Sequence, residues 1–224
     1  MFAVQDEIAA AIAAKLQVTF VPPAVPAGKA TTAGLVYLRH DDKRGLAELS
    51  RAVTDDPRSA YCATLHSLCL LAAGRPADAV AEVQRACALD PQAFLPLFVR
   101  TYVLTLSGDA DGALAAANSA FAVIGRNPWV LACLPNAYLQ RGQPRRAEAI
   151  YAELQARAET ELVSCMVLAL AADKLGRMDE AIAYAIESEE RSDNTGPFWT
   201  RTPMFCAAFH AHPRYPELLR AIGL

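Results

Sequence analysis

Residues 59–92 read SAYCATLHSLCLLAAGRPADAVAEVQRACALDPQ, and this stretch decides the fold. An apolar run ends at Gly74, a residue that readily adopts the left-handed conformation that closes a helix. Pro76 then opens a second run at a position where the first turn of a helix tolerates proline. Small apolar residues follow on one helical face at spacings of four and three: Ala79, Val83 and Ala86. The stretch therefore predicts two helices joined by a tight turn.

The same arrangement returns every 34 residues. The glycines are Gly74, Gly108, Gly142 and Gly176, and each is followed five residues later by an alanine: Ala79, Ala113, Ala147 and Ala181. One period earlier stand His40 and Gly45, which indicates a fifth, degenerate copy. A fixed period of this length is typical of a stacked repeat array, in which each unit packs only on its neighbours.

The order of a small residue, Gly, Ala, a large apolar residue, Ala and Pro at this period resembles the tetratricopeptide repeat (TPR) family. The resemblance implies an all-α fold, a right-handed α-solenoid of about five TPR helix hairpins with an N-terminal helix and a C-terminal capping helix. The second copy departs from the pattern because Gly125 takes the proline slot and Pro128 comes three residues later. We expect a slightly longer loop there.

The predicted organisation has three parts. Residues 1–25 form an N-terminal helix and a Pro-rich linker, residues 26–193 form the array of five repeats, and residues 194–224 form a C-terminal capping segment. The two ends, FAVQDEIAAAIAAKLQ and HPRYPELLRAIGL, resemble the C-terminal TPR region of bacterial adenylate or guanylate cyclase-like regulators, or of winged-helix TolB-like regulators. This resemblance implies the regulatory portion of a bacterial signalling protein, without its effector domain.

In the TPR family the first helix of each hairpin lines a concave groove. The family's groove-facing slots place the following residues in a predicted partner-binding groove: Tyr61, Leu68, Phe98, Tyr102, Trp129, Asn136, Met166 and Leu170. The same slots also include Leu95, Val163 and Asp173. Most of these side chains are apolar or aromatic, and no basic residue stands among them. A clamp for a peptide carboxylate, which uses Lys and Arg, is therefore rejected.

Two kinds of occupant fit an apolar groove. An amphipathic helix of a protein or peptide partner could lie there. Alternatively, the chain's own N-terminal helix or a second subunit covers the groove, since Val4, Ile8, Ile12 and Leu16 form one apolar stripe. An apolar small ligand near Phe98, Tyr102 and Trp129 is a further alternative.

Charge and composition exclude other classes. The formal net charge is −3 and the basic residues are scattered, so we expect no nucleic-acid partner. No apolar stretch approaches the ~20 residues of a spanning helix, so we expect no membrane partner. The six cysteines form no CxxC pair, which favours free thiols and a cytoplasmic location. The favoured function is a non-catalytic scaffold for protein–protein interaction, and a stand-alone cytoplasmic TPR adaptor is the alternative.

Sites for chemistry are few. Cys62, His66 and Cys69 share a helical face, but structural zinc takes four ligands and no fourth is evident. A second group, Cys206, His210 and His212, is interrupted because His212 directly precedes Pro213. We therefore predict no metal, no cofactor and no catalytic residue.

Pro135 breaks the repeat pattern inside a predicted helix, where it removes one backbone hydrogen bond. Either the neighbouring repeats simply tolerate it, or it marks a functional point.

Overall fold

The structure is a computed structural model that describes residues 42–191 and 205–221. Within these residues the chain is helical and contains no strand. The helices are α1 (Asp42–Asp55), α2 (Ala60–Ala72), α3 (Pro76–Leu89), α4 (Phe94–Leu106), α5 (Ala110–Ile124), α6 (Pro128–Gln140), α7 (Pro144–Ala158), α8 (Cys165–Lys174), α9 (Met178–Glu190), α10 (Ala207–His210) and α11 (Tyr215–Ala221). The predicted N-terminal helix, the Pro-rich linker and the first helix of the degenerate repeat lie outside the described residues.

Consecutive helices pair as hairpins, as the 34-residue pattern predicts. The pairs are α2 with α3, α4 with α5, α6 with α7 and α8 with α9. The first helices α2, α4, α6 and α8 also pack on one another in a row, and each second helix contacts the first helix of the next hairpin. We call the row of α2, α4, α6 and α8 the inner layer. Helix α1 packs on α2, as the second helix of a preceding hairpin would.

The turns inside the hairpins confirm the role of the periodic glycines. Gly74, Gly108, Gly142 and Gly176 all have positive φ, between 67° and 82°. At the first turn the Gly74 N–H donates to the Leu71 carbonyl at 3.0 Å, and the Arg75 N–H donates to the Leu70 carbonyl at 2.9 Å. The same two bonds recur at the other three turns. This is the Schellman arrangement, which satisfies carbonyls that a helix end leaves without partners.

The periodic alanines are completely buried in the hairpins. Ala79, Ala113, Ala147 and Ala181 are each 0% exposed. A methyl side chain at this position lets two helices approach closely, and larger neighbours fill the remaining space. The second helices accordingly begin 34 residues apart, at Pro76, Ala110, Pro144 and Met178.

Two connections differ from the predicted pattern. The expectation of a longer loop near Gly125 is wrong, because residues 125–127 form a three-residue loop after a 15-residue α5. The extra length lies in the helix, which continues until Gly125 turns the chain at φ 68°. The longer loop is the one before α8, over residues 159–164. It is longer because α8 begins only after Ser164, whose hydroxyl caps the helix by accepting a hydrogen bond from the Met166 N–H at 3.1 Å.

Pro135 is buried within α6, which continues beyond it to Gln140. The helix is thus maintained on both sides of the missing hydrogen bond, inside a hairpin that neighbours pack against.

The C-terminal helices cover the last hairpin. Helices α10 and α11 pack on α9, and the side chains of Phe205, Phe209 and Leu218 are buried there. The rings of Phe205 and Phe209 stack at a centroid distance of 4.1 Å. This is the capping arrangement that a repeat array needs at its end. The exact domain boundaries remain predictions.

Candidate interaction surface

The inner layer carries all eight residues of the predicted partner-binding groove, but most of their side chains are buried. Leu68, Phe98, Tyr102, Met166 and Leu170 are each at most 5% exposed. Trp129 and Asn136 are half-buried. Tyr61, at 39% exposure, is the most accessible of the eight. The assignment of these residues to a groove stays a prediction.

An aromatic cluster forms where α4 meets α6. Phe98 contacts Trp129 edge-to-face with ring centroids 5.6 Å apart, and it lies 6.4 Å from the Tyr102 ring. Phe94 stacks on Phe98 at 5.8 Å with nearly parallel rings. Aromatic pairs at these distances and angles attract one another beyond the burial of their area. The structure therefore brings together three of the predicted residues and adds Phe94.

Phe94 was missed because it stands one position before the family slot occupied by Leu95. It is 38% exposed and belongs to the first turn of α4. A simple signal could have found it: Phe94, Phe98 and Tyr102 recur every four residues, which places them on one helical face. Phe94 and Tyr61 are exposed aromatic residues at the starts of α4 and α2, whereas Phe98 and Tyr102 are buried. We call the exposed pair, Tyr61 and Phe94, the aromatic rim.

Asn136 joins a small polar contact between two inner-layer helices. The side-chain amide of Gln140 lies 3.5 Å from Asn136 Oδ1 and donates to the Thr105 carbonyl at 2.9 Å. The contact links α6 to α4. Asn136 therefore has a structural contact in addition to its predicted place in the groove.

The last slot of the inner layer, Asp173, is covered by the C-terminal cap. Its side chain is fully buried, and its carboxylate lies 2.8 Å from Lys174 Nζ. The backbone N–H of Cys206 donates to both carboxylate oxygens, at 3.1 and 3.2 Å. Burial, together with the hydrogen bond to Asp173, raises the pKa of the Cys206 thiol. Asp173 therefore holds the start of α10 and leaves no open groove at this slot.

The residues weighed as metal ligands make other contacts. The two ring nitrogens of His66 lie 3.2 Å from Ser50 Oγ and 3.1 Å from Glu82 Oε1, which connects α2 to α1 and α3. His212 lies beyond the end of α10, as its position before Pro213 predicts, with Nε2 3.0 Å from Asp179 Oδ1. Across residues 42–191 and 205–221, no group of three or more His, Cys, Asp and Glu side chains is arranged to hold a metal ion.

Neither a protein-family model nor a curated protein sequence matches this chain. Solved structures do match, and they define the class of fold. A thermophilic TPR protein of Thermus thermophilus, TTC0263, superposes with a TM-score of 0.59 at 16% identity, covering 88% of this chain and 100% of that one. In the APC/C hetero-tetramer Cut9–Hcn1, the matched chain gives a TM-score of 0.52 at 18% identity, covering 95% of this chain and 40% of that one.

At these identities the likeness shows the fold, and that fold is TPR-like. The hairpin order, the glycine turns and the row of first helices agree with it. Among the helices that the structure describes, none combines the length and apolar character needed to cross a bilayer.

Proposed function

We propose that this chain is a non-catalytic scaffold that binds another protein through its inner layer. The observation that carries the proposal is the exposure of the aromatic rim, together with the stacking of Phe94 on a buried ring. Tyr61 and Phe94 are 39% and 38% exposed, and Phe94 stacks on the buried Phe98. Aromatic side chains held in place by their neighbours are the residue types that dominate binding energy at protein interfaces.

The occupant that this surface fits is an amphipathic helix. Tyr61 and Phe94 begin two adjacent inner-layer helices, α2 and α4, that pack side by side. Apolar side chains along one face of a helix could contact both aromatic rings in turn. The helix could belong to another protein, to a second subunit, or to the chain's own N-terminus.

The biological setting belongs to the same proposal. We infer that the chain is the regulatory TPR portion of a cytoplasmic bacterial signalling protein, because its ends resemble those of cyclase-like and TolB-like regulators. An immunoblot of source-cell lysate tests this inference with an antibody against residues 60–193. A band near 24.0 kDa would contradict it and favour the stand-alone adaptor. A clearly larger band would support it.

Photo-crosslinking at the rim tests the binding proposal. The residue Phe94 is replaced by p-benzoylphenylalanine in the full chain, and mass spectrometry identifies the crosslinked peptide after irradiation in source-cell lysate. Val123 is the matched control position, since it is an apolar side chain, 49% exposed, on the second helix α5. We expect crosslinks at position 94 well above those at position 123. Equal yields at the two positions would contradict the proposal.

The crosslinked peptide also distinguishes the three occupants. A peptide from residues 1–25 of the same chain indicates self-occupancy, and a mixed product from 14N- and 15N-labelled copies indicates a dimer. A peptide from one other protein indicates an external partner.

Alanine variants must be chosen on the rim, not at the buried rings. Phe98 and Tyr102 are at most 2% exposed, so truncating either one leaves a cavity. Such a cavity destabilises a protein by about 3–5 kcal/mol for a phenylalanine, and the loss of binding could then result from unfolding. Tyr61→Ala plus Phe94→Ala should weaken capture of the crosslinked partner while the helical circular dichroism signal is unchanged.

A further inference from the structure

A cavity lies on the layer of second helices, away from the aromatic rim. It has a volume of about 280 Å³ and lies between α5 and α7, with α6 as its floor. Phe121, Leu134 and Ile150 give it apolar walls, and three arginines surround it: Arg126, Arg141 and Arg146. This volume lies just below the roughly 300–1,000 Å³ of typical ligand pockets, so only a compact ligand fits the cavity.

Two of the arginines are held in place by ion pairs that cross between elements. Arg126 donates from Nε to Glu153 on α7 at 3.0 Å, and Arg141 lies 2.7 Å from Asp111 on α5. Each guanidinium has five N–H donors, so these pairs leave donors for a further acceptor. The two ion pairs therefore position both guanidinium groups at the cavity and neutralise two of its three positive charges.

Arg146 supplies the third charge. Its guanidinium carbon lies 5.8 Å from the ring centroid of Tyr138, in a cation–π contact. Within the described part of the chain no carboxylate forms an ion pair with it, and Arg146 is exposed. The lining of the cavity thus retains one uncompensated positive charge, held at its edge by an aromatic ring.

The repeat itself does not require these arginines. One period earlier the three positions are occupied by Gln92, Ser107 and Gly112, and one period later by Thr160, Leu175 and Glu180. The hairpins on either side fold with the same glycine turns, and their second helices begin at equivalent repeat positions. The basic cluster is therefore a local feature of one junction between hairpins, which favours recognition over a general structural role.

We propose that this cavity binds a small organic anion, a carboxylate or phosphate attached to a compact apolar body. The anionic group accepts charge-assisted hydrogen bonds from Arg146 and from the remaining donors of Arg126 and Arg141. The apolar body lies against Phe121, Leu134 and Ile150. This site is separate from the aromatic rim and gives the scaffold a place to sense a metabolite.

Three probes that share one apolar body test the proposal on the full chain. They are 2-naphthoate, 2-naphthyl phosphate and the neutral 2-naphthamide, followed by their own fluorescence anisotropy. We expect saturable binding of at least one anion and at least about tenfold weaker binding of the amide, as a lost charge-assisted hydrogen bond implies. Equal affinity for 2-naphthamide, or no saturation of either anion below about 1 mM, would overturn the proposal.

The neighbouring Arg145 provides a matched control. Arg145 and Arg146 are consecutive, exposed residues of α7, but only Arg146 lines the cavity. Arg146→Gln should weaken anion binding at least about tenfold, whereas Arg145→Gln should leave it unchanged. Equal losses in the two variants would mean that general surface charge, not the cavity, attracts the probe. The phosphate and carboxylate arms together identify which anion the site prefers.

Discussion

The bond between Asp173 and the C-terminal cap allows a sharp test of what holds the end of the array. Replacing Asp173 with alanine removes the fully buried carboxylate of an ion pair, which is also the acceptor of the Cys206 N–H. Lys174, whose side chain is only 9% exposed, then loses this carboxylate. Breaking a buried pair on one side typically lowers the free energy of unfolding by about 3–5 kcal/mol, a large share of the roughly 5–15 kcal/mol of an ordinary domain.

Two further variants make this prediction specific. Asp173→Asn keeps an oxygen that can accept from Cys206, so we expect a smaller loss, about 1.5–3 kcal/mol. Asp179→Ala removes a carboxylate in the same region that is 99% exposed and contacts His212, and surface pairs of this kind contribute about 0–1 kcal/mol.

Urea unfolding followed by circular dichroism gives the free energies, and hydrogen exchange shows where protection is lost. Exchange is needed because a repeat array can open at one end without unfolding as a whole. We expect Asp173→Ala to lose protection in α8, α10 and α11 while α2–α5 remain protected. If Asp173→Ala is no less stable than Asp179→Ala, the buried pair does not hold the cap and the reasoning fails.

Three other predictions concern single positions. Gly142→Ala should lower the free energy of unfolding by about 1–2 kcal/mol, because alanine is strained at the Gly142 φ of +67°. An added Cβ would meet nothing within 4 Å, so backbone strain alone opposes the substitution. An unchanged midpoint in urea titrations would contradict this prediction. Burial raises the pKa of Glu82, but hydrogen bonds from Arg85 and His66 outweigh it and leave the pKa below its ordinary 4.5. The ionised Glu82 therefore stabilises the fold fully above pH 4.5, and this stabilisation is lost as the pH falls through the lowered pKa. We expect the difference in free energy of unfolding between wild type and Glu82→Gln, measured from pH 7 to pH 3, to shrink only below about pH 4.5. Burial raises the pKa of Cys133 to about 12, so peptide mapping after iodoacetamide at pH 8 should find Cys133 unmodified in the native protein and modified after unfolding.

The hairpin framework could be predicted from the sequence because it depends on local chemistry. A glycine that must adopt positive φ and an alanine that must allow close packing leave a signal at single positions, and the signal repeats. This is why the starts of α3, α5, α7 and α9 follow the 34-residue period. The start of α8 does not follow it, because Ser164 supplies a cap three residues after the expected position.

The accessibility of the inner layer could not be predicted in the same way. A family slot states which way a side chain faces, but burial depends on everything that packs against that face. Phe98 and Met166 occupy the same repeat position and are both nearly inaccessible. Tyr61 was predicted to face the same groove, yet it remains exposed. Asp173 pairs with the adjacent Lys174, but the Cys206 N–H that its carboxylate also accepts comes from a segment more than 30 residues further along the chain.

The arginine cavity was missed for a different reason. Arg126, Arg141 and Arg146 belong to a loop, a helix end and a second helix, so no spacing rule connects them. A comparison of equivalent positions between repeats could have detected them, since neighbouring repeats lack arginine there.

The local pattern of contacts has a consequence for how the protein is made. The main packing contacts join helices that are adjacent along the chain or separated by one other described helix. Ribosomes add roughly 5–20 residues each second, so a new hairpin of this length emerges about every 2–7 s. Each hairpin can dock on its predecessor soon after it emerges, because the main contacts between the described hairpins join helices that are close in the sequence. Only the newest hairpin then exposes its apolar face during synthesis, and α10 and α11 cover the α8–α9 hairpin once they have emerged.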